Sequence, residues 1–276
     1  MRKTRLCIFA ATLAVALFSL GCGEQIAYLK ARNALNKGVA AFGRADYSVA
    51  ARHFEEAIAA DPELLDARQY LATAYMSQFI PGSESEENLE LASKALEGFQ
   101  GVLDHDPTEA QAILAMSSMG SLYFNMGIAE FDQAVEWYDK LLAKDPTNLT
   151  ALYTKGVIAW TQSYQPRLEV RAMLGMRPED PGPIKDSDAR VELAEANIPI
   201  IEHGMKSLET AIQIDPDYDD AMAYLNLLYR ERADISETQE EYDEYSGKAD
   251  DWVQQALDTK KRKAEQGTKE LFQEGQ

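Results

Sequence analysis

Apolar and polar positions follow a helical period along much of this chain. The stretch DYSVAARHFEEAIAADP, Asp46 to Pro62, places Tyr47, Ala50, Phe54, Ala57 and Ile58 in steps of three and four. Such steps lay side chains along one face of an α-helix. The same template precedes three further Asp-Pro pairs. Ahead of Pro107 it reads Ala92, Ala95, Phe99, Val102 and Leu103. Ahead of Pro146 it reads Phe131, Ala134, Tyr138, Leu141 and Leu142, and ahead of Pro216, Ile201, Gly204, Leu208, Ala211 and Ile212. A small residue lets a neighbouring helix approach, and a large one four places later fills the gap beside it. Phe54, Phe99 and Tyr138 hold the large position and are predicted core residues. Proline disfavours helical geometry in the residue before it and donates no backbone hydrogen bond, so each Asp-Pro reads as a helix stop.

The helices ahead of these also match one another. NKGVAAF, Asn36 to Phe42, corresponds residue by residue to TKGVIAW, Thr154 to Trp160. MSSMGSLY places Met116, Met119, Gly120 and Tyr123 at the spacing W-x2-L-G-x2-Y. On these residues the chain resembles the tetratricopeptide-repeat family over roughly residues 30–263. The resemblance implies an all-α fold, a right-handed α-solenoid of about five helix hairpins. A fifth pair, DDAMAYLNLLYRERA followed by GKADDWVQQALDT, lacks the final Asp-Pro and reads as a cap with a polar outer face.

The period departs from the family value of about 34. From Pro62 to Pro107, Pro146 and Pro216 the spacings are 45, 39 and 70 residues. The excess in repeat two falls at Gln78 to Asn88, where Pro81-Gly82 breaks the chain and Ser83 or Ser85 can cap the next helix. Repeat four carries the long insertion, about 161–188, in which LEVRAML is a candidate short helix. Loops of that length are uncommon unless functional or disordered. Pro199 is expected to kink or split the helix after the insertion.

The first residues read differently. MRKTR is a positive n-region, and Leu6 to Gly21 is an uncharged, mostly apolar run, short for a membrane span and suited to a secretory signal. It ends in Gly21-Cys22, which resembles a bacterial lipobox, although Ser19 stands where Leu is usual. An ordinary signal peptide with an incidental cysteine is the other reading. The expected organisation is a lipoprotein signal peptide (1–21), an N-terminal tether (22–29), the repeat solenoid (30–263) and a polar C-terminal tail (264–276). Cys22 is then the lipidated residue, and the protein a periplasm-facing lipoprotein of the cell envelope. Gly23 rather than Asp after the cysteine leans towards the outer membrane. Cleavage also removes Cys7, so Cys22 has no cysteine partner within the mature chain.

The formal net charge is −19, and cleavage removes Arg2, Lys3 and Arg5 without removing an acid. Such a surface repels phosphate backbones, which argues against nucleic acid as a partner; a basic protein, a cationic ligand or divalent ions fit it better, and the plain reading is that acid keeps the protein soluble. Candidate chemistry is sparse. His53, His105 and His203 sit in different helices with no cysteine or second histidine at local ligand spacing. No Gly-rich phosphate loop or G-x-S-x-G occurs. DPDYDDA lacks the glycine and glutamate of a calcium loop, with Asp220 and Asn226 in their places. KKRK, Lys260 to Lys263, reads as positive charge at the end of the last helix, with a phospholipid-touching tail as a secondary reading. No cofactor, metal or catalytic residue is expected.

The family resemblance implies a protein or peptide bound in a concave groove lined by the first helix of each hairpin. The groove positions it marks are Leu35, Val39, Phe42, Gln69, Thr73, Met76, Ser117, Ser121, Phe124, Tyr153, Val157 and Trp160. Of these, Met76, Phe124, Tyr153 and Trp160 are the candidate partner-binding residues, because aromatic and Met side chains suit interface anchors. Packing against the next repeat or the insertion is the competing role for the aromatics. Leu35 and Val39 stand where chaperone-tail binders need Lys and Asn, so that carboxylate clamp is not expected. The expected function is a non-enzymatic scaffold or adaptor in the bacterial envelope, with envelope-complex assembly as its candidate role. The alternative is a ligand-binding accessory of a transporter.

Overall fold

The computed structural model describes residues 25–178 and 180–274. The expected signal peptide and lipidation site, residues 1–22, lie outside the described residues. Within them the chain is helical and has no strand. The helices are α1 (25–42), α2 (Tyr47–Ala60), α3 (Leu65–Met76), α4 (Glu86–Leu103), α5 (Glu109–Met126), α6 (Phe131–Lys144), α7 (Leu149–Met173), α8 (Ser187–Ile214), α9 (Asp219–Asp234) and α10 (Gln239–Glu274). None is long and apolar enough to cross a membrane. The chain divides into two compact units, with the boundary between Asn125 and Met126. The first holds α1 to α5 and the second α6 to α10.

The repeated template forms the second helix of each hairpin. Phe54, Phe99, Tyr138 and Leu208 are buried, as are the small residues Ala50, Ala95, Ala134 and Gly204 four places before them. Fully burying one such large side chain stabilises by about 1.5–3 kcal/mol. The matching first-helix motifs explain their glycines. A Cβ on Gly38 would lie 2.4 Å from the Phe54 ring, and one on Gly156 would lie 2.3 Å from Leu208. Each glycine is where the large residue of the partner helix is received.

The aspartate of Asp-Pro has a part beyond stopping the helix. Asp61, Asp145 and Asp215 leave helical geometry at ψ 96, 83 and 95°. Their side chains accept hydrogen bonds from the backbone N–H two residues on, at Glu63, Thr147 and Asp217. These are Asx turns, which restart the chain towards the next helix. The side chains of Asn148 and Thr147 also hold the Asp145 carboxyl below its ordinary range. The second Asp-Pro departs from this pattern. α4 stops at Leu103, and Asp106 takes a positive φ of 51°, a region Asp tolerates better than most residues.

In the first unit α2 packs on α3 and α3 on α4. Asn88 stitches the turn before α4: its side chain donates to the carbonyls of Ile80 and Ser83 and accepts from the Ile80 N–H. Ser85 caps that helix by accepting from the Asn88 N–H. In the second unit α7 packs on α6, α8 and α9, and α9 also on α8 and α10. The core there is built on Leu152, Ile201, Leu208, Leu225 and Leu228.

Three expectations change on the structure. The interruption expected from Thr161 is helical to Met173, because α7 runs on through Pro166. The proline denies the Gln162 carbonyl its helical donor, and at the next carbonyl, that of Ser163, Asn197 of α8 donates at 3.3 Å. The helix then docks through two arginines, Arg171 buried and Arg167 half-buried. Arg167 bonds Glu231 at 2.6 Å and Asp234 at 2.8 Å, and Arg171 bonds Asp234 at 2.9 Å. Arg171 also donates to the carbonyls of Arg177 and Asp180, tying down the connector to α8. Burial pushes the Glu231 carboxyl up to about 7, although the Arg167 guanidinium beside it favours the ionised form. Pro199 does not split α8, which is one helix from Ser187 to Ile214. Lys260 to Lys263 is not a helix end, since α10 continues to Glu274, through most of the expected tail. Arg262 and Lys263 pair with Asp217 and Asp219 at the start of α9.

Candidate functional site

The first unit contains a groove made by the first helices of three successive hairpins. α3 contributes Asp66, Gln69, Tyr70 and Thr73, a helical stripe at steps of three and four. Phe42 at the end of α1 and Leu114 on α5 complete a cavity of about 470 Å³. Its apolar surface is open: Tyr70 is 39% exposed and Leu114 45%. Tyr70 is held from beneath by the buried Phe54 ring, stacked at 5.4 Å. Phe42 meets the edges of Tyr47 at 5.1 Å and Tyr70 at 6.4 Å. Rigid aromatics of this kind bind at a low cost in side-chain entropy.

The polar edge of the groove is ordered by a helix start. Thr108 and Gln111 form a reciprocal cap on α5. The Gln111 side-chain oxygen accepts from the Thr108 N–H at 3.0 Å, and the Thr108 hydroxyl accepts from the Gln111 N–H at 3.3 Å. The Gln111 amide then donates to Asp66 on α3 at 3.0 Å. Arg32 of α1 stands 3.8 Å from the other Asp66 oxygen. Asp66 thus links three helices and leaves Gln69 as the groove's amide. Thr73 spends its hydroxyl on the Gln69 carbonyl.

Among the sequence-marked positions, Phe42, Gln69 and Thr73 line this cavity. Met76 is half-buried on α3, one turn past Thr73, and Phe124 is half-buried on α5. Leu35 is not a groove residue: it is buried in the core beside Ala31 and Ala34. Asp66, Tyr70 and Leu114 are not among the marked positions. The signal for Asp66 and Tyr70 is the steps of three and four on α3 leading to Gln69 and Thr73; Leu114, on α5, has no such signal.

Tyr153 and Trp160 belong to the second unit, and there the structure brings them together. Both meet Tyr224 of α9 edge-on, at 5.5 and 5.6 Å. Tyr153 also packs on Tyr218 at 5.4 Å, and Trp160 on Tyr164 at 5.0 Å. Burial, followed by the neighbouring Tyr224, pushes the Tyr153 phenol well above its ordinary range. Both residues pack against the buried core of this unit. His203 lies 3.2 Å from the buried Lys155 ammonium, which also pairs with Asp139. Lysine only donates, so His203 Nε2 accepts there. No group of three or more His, Cys, Asp or Glu suited to a metal ion occurs among the described residues.

No protein-family model and no curated protein matches the sequence. Solved structures do resemble it. The crystal structure of MamA protein aligns at a TM-score of 0.55 and 17% identity, covering 86% of this chain and 94% of that one. MamA 41-end from Desulfovibrio magneticus RS-1 aligns at 0.54 and 14%, covering 84% and 96%. At such identities the likeness is one of fold. Together with the four-fold template and the matched hairpin motifs, it shows that the chain has the tetratricopeptide-repeat fold.

Proposed function

We propose that this protein is a non-catalytic scaffold or adaptor that holds an extended segment of a partner protein in the groove of its first unit. The observation that carries this reading is the open stripe of Phe42, Tyr70 and Leu114 beside Gln69. The aromatics offer apolar anchorage, and the Gln69 amide offers a donor and an acceptor to a partner backbone. The net charge of −19 favours a basic partner, whose association would be fast and salt-sensitive. The Gly21-Cys22 junction behind an apolar run supports a lipid anchor at Cys22 and a periplasm-facing position in the envelope, with the outer membrane favoured by Gly23. Assembly of an envelope complex is the role this combination suits.

The experiment is affinity capture from detergent-solubilised membranes, followed by a binding isotherm for the recovered partner. Leu114→Asp should weaken binding by about 2 kcal/mol or more, with helicity by circular dichroism unchanged. Full affinity in that variant would overturn the assignment of the groove. For the anchor, a fatty-acid analogue should label wild type and not Cys22→Ala. Equal labelling of both would remove it.

A further inference from the structure

The second unit has an open cavity of about 440 Å³ that the groove reading does not use. It lies between the N-terminal half of α8, the end of α9 and the start of α10. Two arginines line it, Arg190 and Arg232. Arg190 gives one N–H to the Ile184 carbonyl at 2.8 Å. Arg232 lays its guanidinium over the Tyr245 ring at 4.7 Å, and its Nε is buried with no hydrogen-bond partner. Neither arginine forms a salt bridge with a carboxylate among the described residues. In a chain so rich in acid, two guanidiniums without carboxylate partners in one cavity are unusual.

We propose that this cavity binds a short zwitterionic peptide with apolar side chains, its terminal carboxylate resting on Arg232 and Arg190. A guanidinium presents a planar fork of donors that matches a carboxylate. The walls between the two arginines are apolar: Val191, Ile198 and Ile235. Val191 is 50% exposed, so it offers surface for a ligand to cover. The rim carries Glu195, Glu237 and Glu241. Three carboxylates against two guanidiniums disfavour a dianion such as phosphate. They suit a ligand that carries an ammonium at its other end. A volume of about 440 Å³ lies in the range of small-ligand sites, enough for a peptide of about two to three residues. The site is separate from the groove of the first unit, so either assignment can fail without the other.

The test is calorimetric titration of the full chain with four probes: trileucine, its C-terminal amide, its N-acetyl derivative and octanoate. Trileucine should bind, and the amide and N-acetyl forms should each bind at least about tenfold more weakly. Octanoate, which lacks the ammonium, should bind more weakly than trileucine. Arg232→Lys keeps the charge and the contact with Tyr245 but loses the fork, and should weaken trileucine at least about tenfold. Val191→Glu alters only an exposed wall and should do the same, which keeps the proposal testable if circular dichroism shows Arg232→Lys to be misfolded. No binding of trileucine at about 10 mM would overturn the proposal. So would octanoate binding as tightly as trileucine, or unchanged trileucine affinity in Val191→Glu.

Discussion

Phe42 and Trp160 occupy the same place in two matching motifs, NKGVAAF and TKGVIAW, yet the two units use them differently. Phe42 ends α1 and borders an open groove with Tyr70 and Leu114. Trp160 sits inside α7, which continues to Met173, and packs on Tyr164 and on Tyr224 of α9. The motif supplies an aromatic at the inner face of a hairpin. The segment C-terminal to the motif decides whether that aromatic stays available to a partner. After Phe42 a short turn leads directly into α2. After Trp160 the helix carries on, and its arginines draw α9 onto it.

The largest expected effects break the arrangement in each unit. Arg171→Ala would leave Asp234 with one guanidinium fewer and free the connector carbonyls, costing about 3–5 kcal/mol. Phe54→Ala should cost about 3–5 kcal/mol in the first unit and also remove the support under Tyr70. Chemical denaturation measures both. An unchanged midpoint in Phe54→Ala would contradict the shared template.

Trp160→Ala sharpens the comparison. Because Trp160 is half-buried, the loss should be about 2 kcal/mol, below the range for a fully buried aromatic. Partner affinity at the first-unit groove should not change. A variant of normal stability that loses the partner would restore Trp160 as an anchor.

Glu231 gives a smaller, pH-dependent effect. Folded, it keeps its proton to about pH 7; unfolded, it releases it near its ordinary 4.5. Between those values the folded state holds the extra proton, so this group's contribution to stability falls as pH rises from 4.5 to 7. Denaturation midpoints across that window should show the decline in wild type and a shallower one in Glu231→Gln. Identical slopes would remove the effect.

The second helices are legible in the sequence because one pattern recurs four times and each copy ends in the same pair of residues. The Asx turns behind those pairs are not, since the stop signal in Asp-Pro comes from the proline and says nothing of the aspartate. The run of α7 through Pro166 is hidden because the bonds that dock it, from Arg167 and Arg171 to Glu231 and Asp234, join residues 63 to 67 apart in sequence. The groove is half legible. Helical spacing locates Gln69 and Thr73, but Leu114 enters it from a different hairpin, and periodicity within α5 does not show which face meets α3. Thr108 and Gln111 carry a readable cap signature, yet the onward bond to Asp66 depends on tertiary placement. Tyr153 and Trp160 stand out as aromatics of one helix, while their shared neighbour Tyr224 belongs to a repeat that fits the template only weakly.

The most direct test of the groove is site-specific photocrosslinking in intact cells from a benzoylphenylalanine placed at position 114. The expected result is a discrete crosslinked protein, abolished by a second change, Tyr70→Ala, at unchanged expression. A crosslink that persists at full yield in Tyr70→Ala would contradict the groove as the partner's site.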